Sequence, residues 1–457
     1  MRVQAMTISV GAAALLAAMA GAAAFNVPQA AQVAAGLEAH SVCSAVFVQG
    51  VDGQATDREM VQLLTGPAGR LLSFKIDPVG RGVDASFAGV VHARADFTAG
   101  YGCRLRNAAN TPLPASPPVV SPPLPDDFAA PGVVTAKDPG LAAAIAQVFA
   151  EQPGAPIKQV KAVVVVKDGH VIAERYAPGF EVDTPLISYS VAKSFTNALL
   201  AVLVSQGRLK ADQPVGAPEW AAAGDPRARI TIEDLLRMRS GLDAPEDESA
   251  TSAVAQMEFI APDMAGFVAP KPLKQPIGTV YEYTSANTII LDRLLGQTIG
   301  GGAAGVRAFA EREIFTPLHM SNVTMEFDGA GAFVGSTWVY APARSFARFG
   351  ELYLNDGIAP DGRRILPEGW VAWSRRSTLG APYGAGFWTN DGPSTFAAQR
   401  VAGGFPKDGF FASGNLGQRI YIVPSKHLVV VRFGYSKGPA FGIADDVALI
   451  KAAIAAP

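Results

Sequence analysis

Ile187-Ser188-Tyr189-Ser190-Val191-Ala192-Lys193-Ser194-Phe195-Thr196-Asn197 puts a hydroxyl and an amine three residues apart at the head of an apolar run, Ala198 to Val204, which stops at Gly207. The run predicts a helix, and on a helix residues three apart share a face. Ser190 and Lys193 then stand side by side. Serine is a weak nucleophile until a base takes its proton, and a lysine kept neutral by burial can be that base. Near a helix N-terminus, backbone N–H groups and the helix dipole favour developing negative charge. Taken alone, the pair equally fits an N-cap serine beside a solvated lysine, and chance supplies one about once in a chain this long. Its weight comes from the rest of the chain.

Working outward, a hairpin precedes the helix: Ala162-Val163-Val164-Val165-Val166 turns at Asp168-Gly169 into Val171-Ile172-Ala173, and Asp-Gly is a strong type I′ signal. A helix is expected at Leu141 to Glu151 before it. Further helices are expected at Ile232 to Met238, capped by Thr231 and closed by Gly241, then at Asn287 to Ile299, Gly305 to Ile314 and Ala343 to Asn355. The chain ends in Arg419-Ile420-Tyr421-Ile422-Val423, a Pro424-Ser425-Lys426 turn, Leu428-Val429-Val430-Val431-Arg432-Phe433 and a last helix from about Ile443 to Ala455. Strands at both ends with helices between them predict one antiparallel sheet joined by the two ends of the domain, with helices packed around it. The fold class is α/β (α+β).

Upstream, Thr111 to Gly132 contains eight prolines, which rules out helix or central strand and predicts a Pro-rich linker over 111–132. The main domain is therefore expected at 133–457 and a small N-terminal, mainly-β domain at 25–110. That segment offers short apolar runs between turn signals: Val46-Phe47-Val48, Leu71 to Ile76 and Ala85 to Val91. Arg2, the apolar run Ile8 to Phe25 and the small residues Ala22-Ala23-Ala24 read as a signal peptide over 1–24. Export to the periplasm or medium follows, with no membrane span expected in the mature chain. The two cysteines of the chain, Cys43 and Cys103, then favour a disulfide closing a loop of roughly 60 residues. Neither has metal-ligand company, so no metal is expected. With 38 basic and 40 acidic residues and a net charge of -2, no basic stripe points to nucleic acid. Gly300 to Gly305 follows a helix, not a strand, and so reads as a loop rather than a nucleotide cradle.

Three motifs make the resemblance specific. Ser190-Val191-Ala192-Lys193 is followed by Thr231 to Leu242, with Arg239-Ser240-Gly241-Leu242 at its end. Next come Tyr281-Glu282-Tyr283-Thr284-Ser285-Ala286-Asn287 and, just before the C-terminal hairpin, Phe411-Ala412-Ser413-Gly414-Asn415-Leu416-Gly417-Gln418. From about residue 140 onward the chain resembles the class C β-lactamase and penicillin-binding-protein superfamily, nearest to its 6-aminohexanoate-dimer hydrolases and small family VIII-like carboxylesterases. The resemblance implies an all-helical lobe beside the sheet. It implies Ser190 as nucleophile, Lys193 as proton acceptor and Tyr283 as the phenol completing the relay, with Tyr281 as the competing tyrosine. It places the oxyanion hole at the backbone N–H groups of Ser190 and Asn415, with Gly414 serving close backbone approach, and substrate contacts at Ser285, Ala412, Ser413 and Gly414.

Two departures bear on the substrate. Where the family keeps a lysine for a β-lactam carboxylate this chain has Ala412, and where it keeps an asparagine for the lactam side-chain amide it has Ser285. Loss of the charge partner disfavours acidic β-lactams. The expectation is a serine hydrolase of small esters or amides, needing no cofactor; the alternative is a penicillin-binding-like protein or D-amino-acid peptidase that acylates on Ser190 with slow or no turnover. No Gly-x-Ser-x-Gly elbow or His-Glu-x-x-His occurs, and the five histidines, His40, His92, His170, His319 and His427, read mostly as surface or turn residues. Tyr383, Phe387 and Trp388 are candidates for an apolar acyl pocket.

Overall fold

The computed structural model describes residues 27–114, 128, 132–247, 249–437 and 443–457. The expected signal peptide and most of the Pro-rich linker lie outside the described residues. The described chain opens on a helix, α1 (Val27–Gln49), long and apolar enough to cross a membrane yet mostly buried against protein. Its alanines Ala31, Ala34, Ala35 and Ala39 face inward. At Gly36 an added Cβ would come within 2.6 Å of the Phe259 carbonyl oxygen, so the missing side chain is what lets α1 lie against the helix Ala253–Phe259. Val46-Phe47-Val48, expected as a strand, is the end of α1, which stops at Gly50 in the left-handed conformation (φ 71°). A short apolar run fits a buried helix as well as a strand, and packing on the body decided between them.

Helical turns fill residues 53–71. An antiparallel meander follows: β1 (Leu72–Asp77), β2 (Gly82–Phe87), β3 (Val91–Thr98) and β4 (Gly102–Leu105), in that spatial order. Arg94 on β3 bridges Asp77, Asp84 and Asp96 across three strands. The Cys43–Cys103 disulfide ties α1 to β4, at the centre of a small core made with Ala39, Val42, Val83, Ala85 and Ala95. A buried carboxylate fixes this segment to the rest. Glu326, fully buried, accepts from His40 Nε2 (2.7 Å), Ser44 Oγ (2.9 Å) and the Cys103 N–H (2.7 Å). His40 also stacks on Trp338 at 3.9 Å, so it is a buried docking residue rather than a surface one.

The body is built on a six-stranded antiparallel sheet. Helix α2 (Pro139–Phe149) leads into β5 (Val160–Lys167) and β6 (His170–Tyr176), joined by Asp168 and Gly169, both at positive φ as a type I′ turn requires. Helix α3 (Ala192–Ser205) carries the serine–lysine stretch. A helical lobe comes next, including Ile232–Leu236, where Thr231 and Asp234 form a capping box, and α4 (Ser285–Ile299). After α5 (Ala343–Leu354) the chain returns to the sheet as β7 (Trp388–Thr389), β8 (Phe410–Gly414), β9 (Gln418–Val423) and β10 (Leu428–Gly434), closing with α6 (Ile443–Ala455). The spatial order β7-β8-β9-β10-β5-β6 joins the two ends of the body through β10 and β5, with Val431 opposite Val164.

Both faces of the sheet are covered, which is why β5 and β10 are unbroken valine runs rather than alternating strands. Val164, Val166, Ile420 and Val431 face a core shared with α3 and α5; Val163, Val165, Val423 and Val430 face a second core under α2 and α6. The site lies where the head of α3 meets the end of β8 and the helical lobe.

Candidate active site

Ser190 sits in the single turn Tyr189–Val191 that leads directly into α3. Tyr189 is held at φ 44°, a conformation bulky residues rarely adopt. The turn is pinned from outside. The Ser188 N–H donates to the Val339 carbonyl (2.8 Å), the Val339 N–H returns to Ser188 Oγ (3.1 Å), and Leu186 and Ile187 pair with Ala341 and Tyr340. Backbone strain thus sits beside the serine and is maintained by strand pairing, a combination met at functional sites.

Lys193 is 2% exposed. Its Nζ lies 2.8 Å from Ser190 Oγ, 2.9 Å from Ser285 Oγ and 3.0 Å from the Ser336 carbonyl oxygen, and 5.0 Å from the centre of the Tyr283 ring. Burial pushes its pKa below the ordinary lysine value, opposed by the charges of Glu246, Glu258 and Asp292. That opposition is weakened because burial also raises two of those acids, Glu258 to about 7 and Asp292 well above its usual range. Only an acceptor is available at the Ser336 carbonyl, so Nζ must donate there. A neutral amine would still keep its lone pair for the Ser190 hydroxyl.

Asp292 acts on this geometry from behind. Its carboxylate accepts from Thr196 Oγ1 on α3 (2.7 Å) and from the Gly335 N–H (2.9 Å), fixing the loop whose next residue offers the Ser336 carbonyl. Tyr283 lies beside Ser190, and its pKa is raised well above 10, chiefly by burial, against the opposing influence of that neighbouring hydroxyl. Tyr281, the competing tyrosine, has its hydroxyl buried with no hydrogen-bond partner among the described residues.

Gly414 ends β8 against the Ser190 turn. A Cβ there would meet the Ser188 carbonyl oxygen at 2.4 Å, the Ser190 nitrogen at 3.0 Å and Tyr189 Cβ at 3.0 Å, so the strand reaches the nucleophile's own N–H because the side chain is missing. Asn415 follows, exposed, its Oδ1 accepting from the Leu416 N–H (2.8 Å). Leu416 is the second strained residue of the site (φ 55°). Ser413 is half-buried opposite Arg419, whose guanidinium donates to the Gly414 carbonyl (2.8 Å).

Two expected substrate contacts turn inward instead. Ser285 is 1% exposed and its hydroxyl is taken by Lys193; Ala412, also 1% exposed, packs its methyl into the core with Ile420. The aromatic candidates divide as well. Trp388 is half-buried and lies 5.7 Å from Tyr283, whereas Phe387 is core, against Tyr353 and Phe410. Sequence reasoning missed Glu246. Its Oε2 accepts from the Ser285 N–H (2.5 Å) at the first turn of α4, and only Asp243, Ala244 and Pro245 separate it from the Arg239-Ser240-Gly241-Leu242 motif. Cavity size is no guide here: a cavity of about 890 Å³ lined by Gly132, Tyr176 and Phe180 holds none of these residues.

Among known proteins, the Beta-lactamase family model matches residues 145–454, more than half of the chain. The 6-aminohexanoate-dimer hydrolase of Paenarthrobacter ureafaciens is 27% identical over 223 residues, covering 46% of this chain and 55% of that protein. Penicillin-binding protein 4 of Amycolatopsis lactamdurans is 29% identical over 266 residues, covering 50% and 66%. The chain therefore spans less than two thirds of the length of either curated relative. A penicillin-binding protein homologue from Caulobacter crescentus, 21% identical, superposes with a TM-score of 0.55 over 71% of this chain and 100% of that one, a likeness of fold.

Proposed function

Because the chain belongs to the Beta-lactamase family, we propose that it is a serine hydrolase cleaving small esters or amides through an acyl-enzyme on Ser190. The observation that carries this reading is the 2.8 Å approach of the Lys193 amine to Ser190 Oγ, in a setting where burial lowers the lysine's pKa. Ser190 Oγ adds to the substrate carbonyl while its proton passes to Lys193. The oxyanion forms against the N–H groups of Ser190 and Asn415. Collapse of the tetrahedral adduct breaks the ester or amide bond, and the proton returns through Tyr283 to the departing oxygen or nitrogen. Water then adds to the acyl-enzyme, gives its proton to the same relay and releases the acid, restoring Ser190.

The methyl of Ala412, where the family resemblance expects a lysine, supports neutral carbonyl substrates over acidic β-lactams. Export to the periplasm or medium fits the apolar stretch Ile8 to Phe25 and the Cys43–Cys103 disulfide. A fluorophosphonate probe should label the protein, and Ser190→Ala should lose both labelling and turnover of p-nitrophenyl esters. Labelling that persists in Ser190→Ala would remove this nucleophile; labelling of the wild type with one burst and no turnover would favour a penicillin-binding-like acceptor.

A further inference from the structure

The turn Val334 to Val339 carries two sets of contacts. One set belongs to the site: the Ser336 carbonyl takes Lys193 Nζ (3.0 Å), the Gly335 N–H donates to Asp292 (2.9 Å), and the Thr337 carbonyl accepts from Ser188 Oγ (3.0 Å), two residues before the nucleophile. The other set comes from outside it. The Glu326 N–H donates to the Trp338 carbonyl (3.1 Å) and the Glu326 carbonyl accepts from the Val334 N–H (3.0 Å), while the Glu326 carboxylate is held by His40, Ser44 and the Cys103 N–H of the N-terminal segment. The His40 ring also stacks on Trp338. Thr337 Oγ1 donates to Glu258 Oε1 (2.5 Å), and Glu258 stands on the helix Ala253–Phe259, against which α1 packs at Gly36.

What this turn offers Lys193 is a backbone oxygen, and a backbone oxygen has no rotamer of its own. The Ser336 carbonyl shares a rigid peptide plane with the Thr337 nitrogen and Cα, so whatever fixes Thr337 and Trp338 also aims that oxygen. Glu258 fixes the first and His40 the second. Both arrangements cost desolvation that only their partners offset. Glu326 is fully buried. Glu258 is half-buried at the edge of a cavity of about 550 Å³, which Arg94 and Arg104 of the meander line from the other side. Among the described residues, Thr337 is the hydrogen-bond partner of its carboxyl. His40 comes from a part of the chain that the family match over residues 145–454 does not cover.

We propose that His40 and Glu258 are positioning residues for Lys193, gripping Trp338 and Thr337 so that the Ser336 carbonyl holds the lysine nitrogen on Ser190, and that the N-terminal segment is thereby a working part of the active site. The proposal rests on Ser190 being the nucleophile. The test uses the full chain and two readouts, the rate constant of fluorophosphonate labelling per labelled site and the fraction of protein that labels, beside kcat and KM for a p-nitrophenyl ester. His40→Ala and Glu258→Ala should each slow labelling and kcat by roughly tenfold or more, with the labelled fraction near that of the wild type and KM within about threefold. His40→Gln, which keeps an N–H for Glu326, and Glu258→Gln, which keeps an acceptor for Thr337, should each recover most of the loss. A purely structural role gives the opposite pattern: a smaller labelled fraction whose remaining sites react at the wild-type rate. That pattern, or an alanine variant with the wild-type rate constant, overturns the assignment for the residue concerned, and the same result at His40 removes the N-terminal segment from the site. Absence of Ser190 labelling in the wild type would instead remove the hydrolase reading beneath the proposal.

Discussion

Replacing Gly414 by alanine isolates one geometric claim, that β8 must touch the Ser190 turn for both oxyanion donors to converge. Gly414 has φ -124° and ψ 163°, extended backbone that alanine adopts without strain, so an effect of Gly414→Ala comes from space and not from lost conformational freedom. The new Cβ would begin 2.4 Å from the Ser188 carbonyl oxygen; a C···O contact relaxes only at about 3.3 Å, so strand and turn must part by roughly 0.9 Å. The turn cannot simply retreat, because the Ser188 N–H is bonded to Val339 and Leu186 is paired with Ala341. Oxyanion donors work at about 2.7–3.1 Å, so a displacement of this size removes one of them at a cost of about 3 kcal/mol, or roughly a hundredfold in kcat. The donors act mainly on the transition state, so KM should rise far less. The assay is steady-state hydrolysis of a p-nitrophenyl ester beside the rate of fluorophosphonate labelling, with thermal unfolding as the check on folding. A correctly folded Gly414→Ala protein with kcat within about threefold of wild type would refute the assignment of the hole to Ser190 and Asn415.

Two further outcomes follow from burial of charge. Because burial lowers the Lys193 pKa, activity should rise with pH as the amine loses its proton and level off below the ordinary lysine range. Lys193→Met should cost on the order of a thousandfold in kcat and erase that rise; a Met variant with the wild-type pH profile would exclude the lysine as base. Glu38, fully buried beside Asp57, has its pKa raised from 4.5 to about 8, chiefly by burial. The folded state therefore holds a proton between those two values that the unfolded chain has released, and stability should fall as pH rises through that window, by up to about 1.4 kcal/mol per pH unit, then level off above it. Glu38→Gln should overtake the wild type in urea unfolding at pH 9 and match it near pH 5. A difference independent of pH would contradict the buried acid.

What could be read in advance was local. The hairpin at Asp168-Gly169, the Thr231 cap and the span of α6 each depend on a few neighbouring residues whose dihedral preferences and periodicity are printed in the chain. Val46-Phe47-Val48 was misleading because three apolar residues carry no period, and the alanine face that makes them part of α1 exists only against the body. His40 misled for a related reason: nothing near it in sequence announces Glu326, 286 residues away. At the site, Ser285 occupied a place where a substrate contact was expected, and its hydroxyl proved to belong to Lys193, 92 residues earlier.

By itself the sequence determined that a hydroxyl and an amine would share one helical turn, that the two ends of the body would form strands, and that two cysteines would be available to pair. These are consequences of spacing, since the helix repeat brings residues three apart together wherever the helix goes. The tertiary structure decided what makes the pair reactive in the proposed sense: the burial that lowers the Lys193 pKa, the Ser336 carbonyl and Ser285 hydroxyl that orient its nitrogen, and the bare Cα of Gly414 against the Ser190 N–H. Desolvation and hydrogen-bond geometry depend on which distant segments pack around a group, and packing is settled by the whole core rather than by any window of the chain.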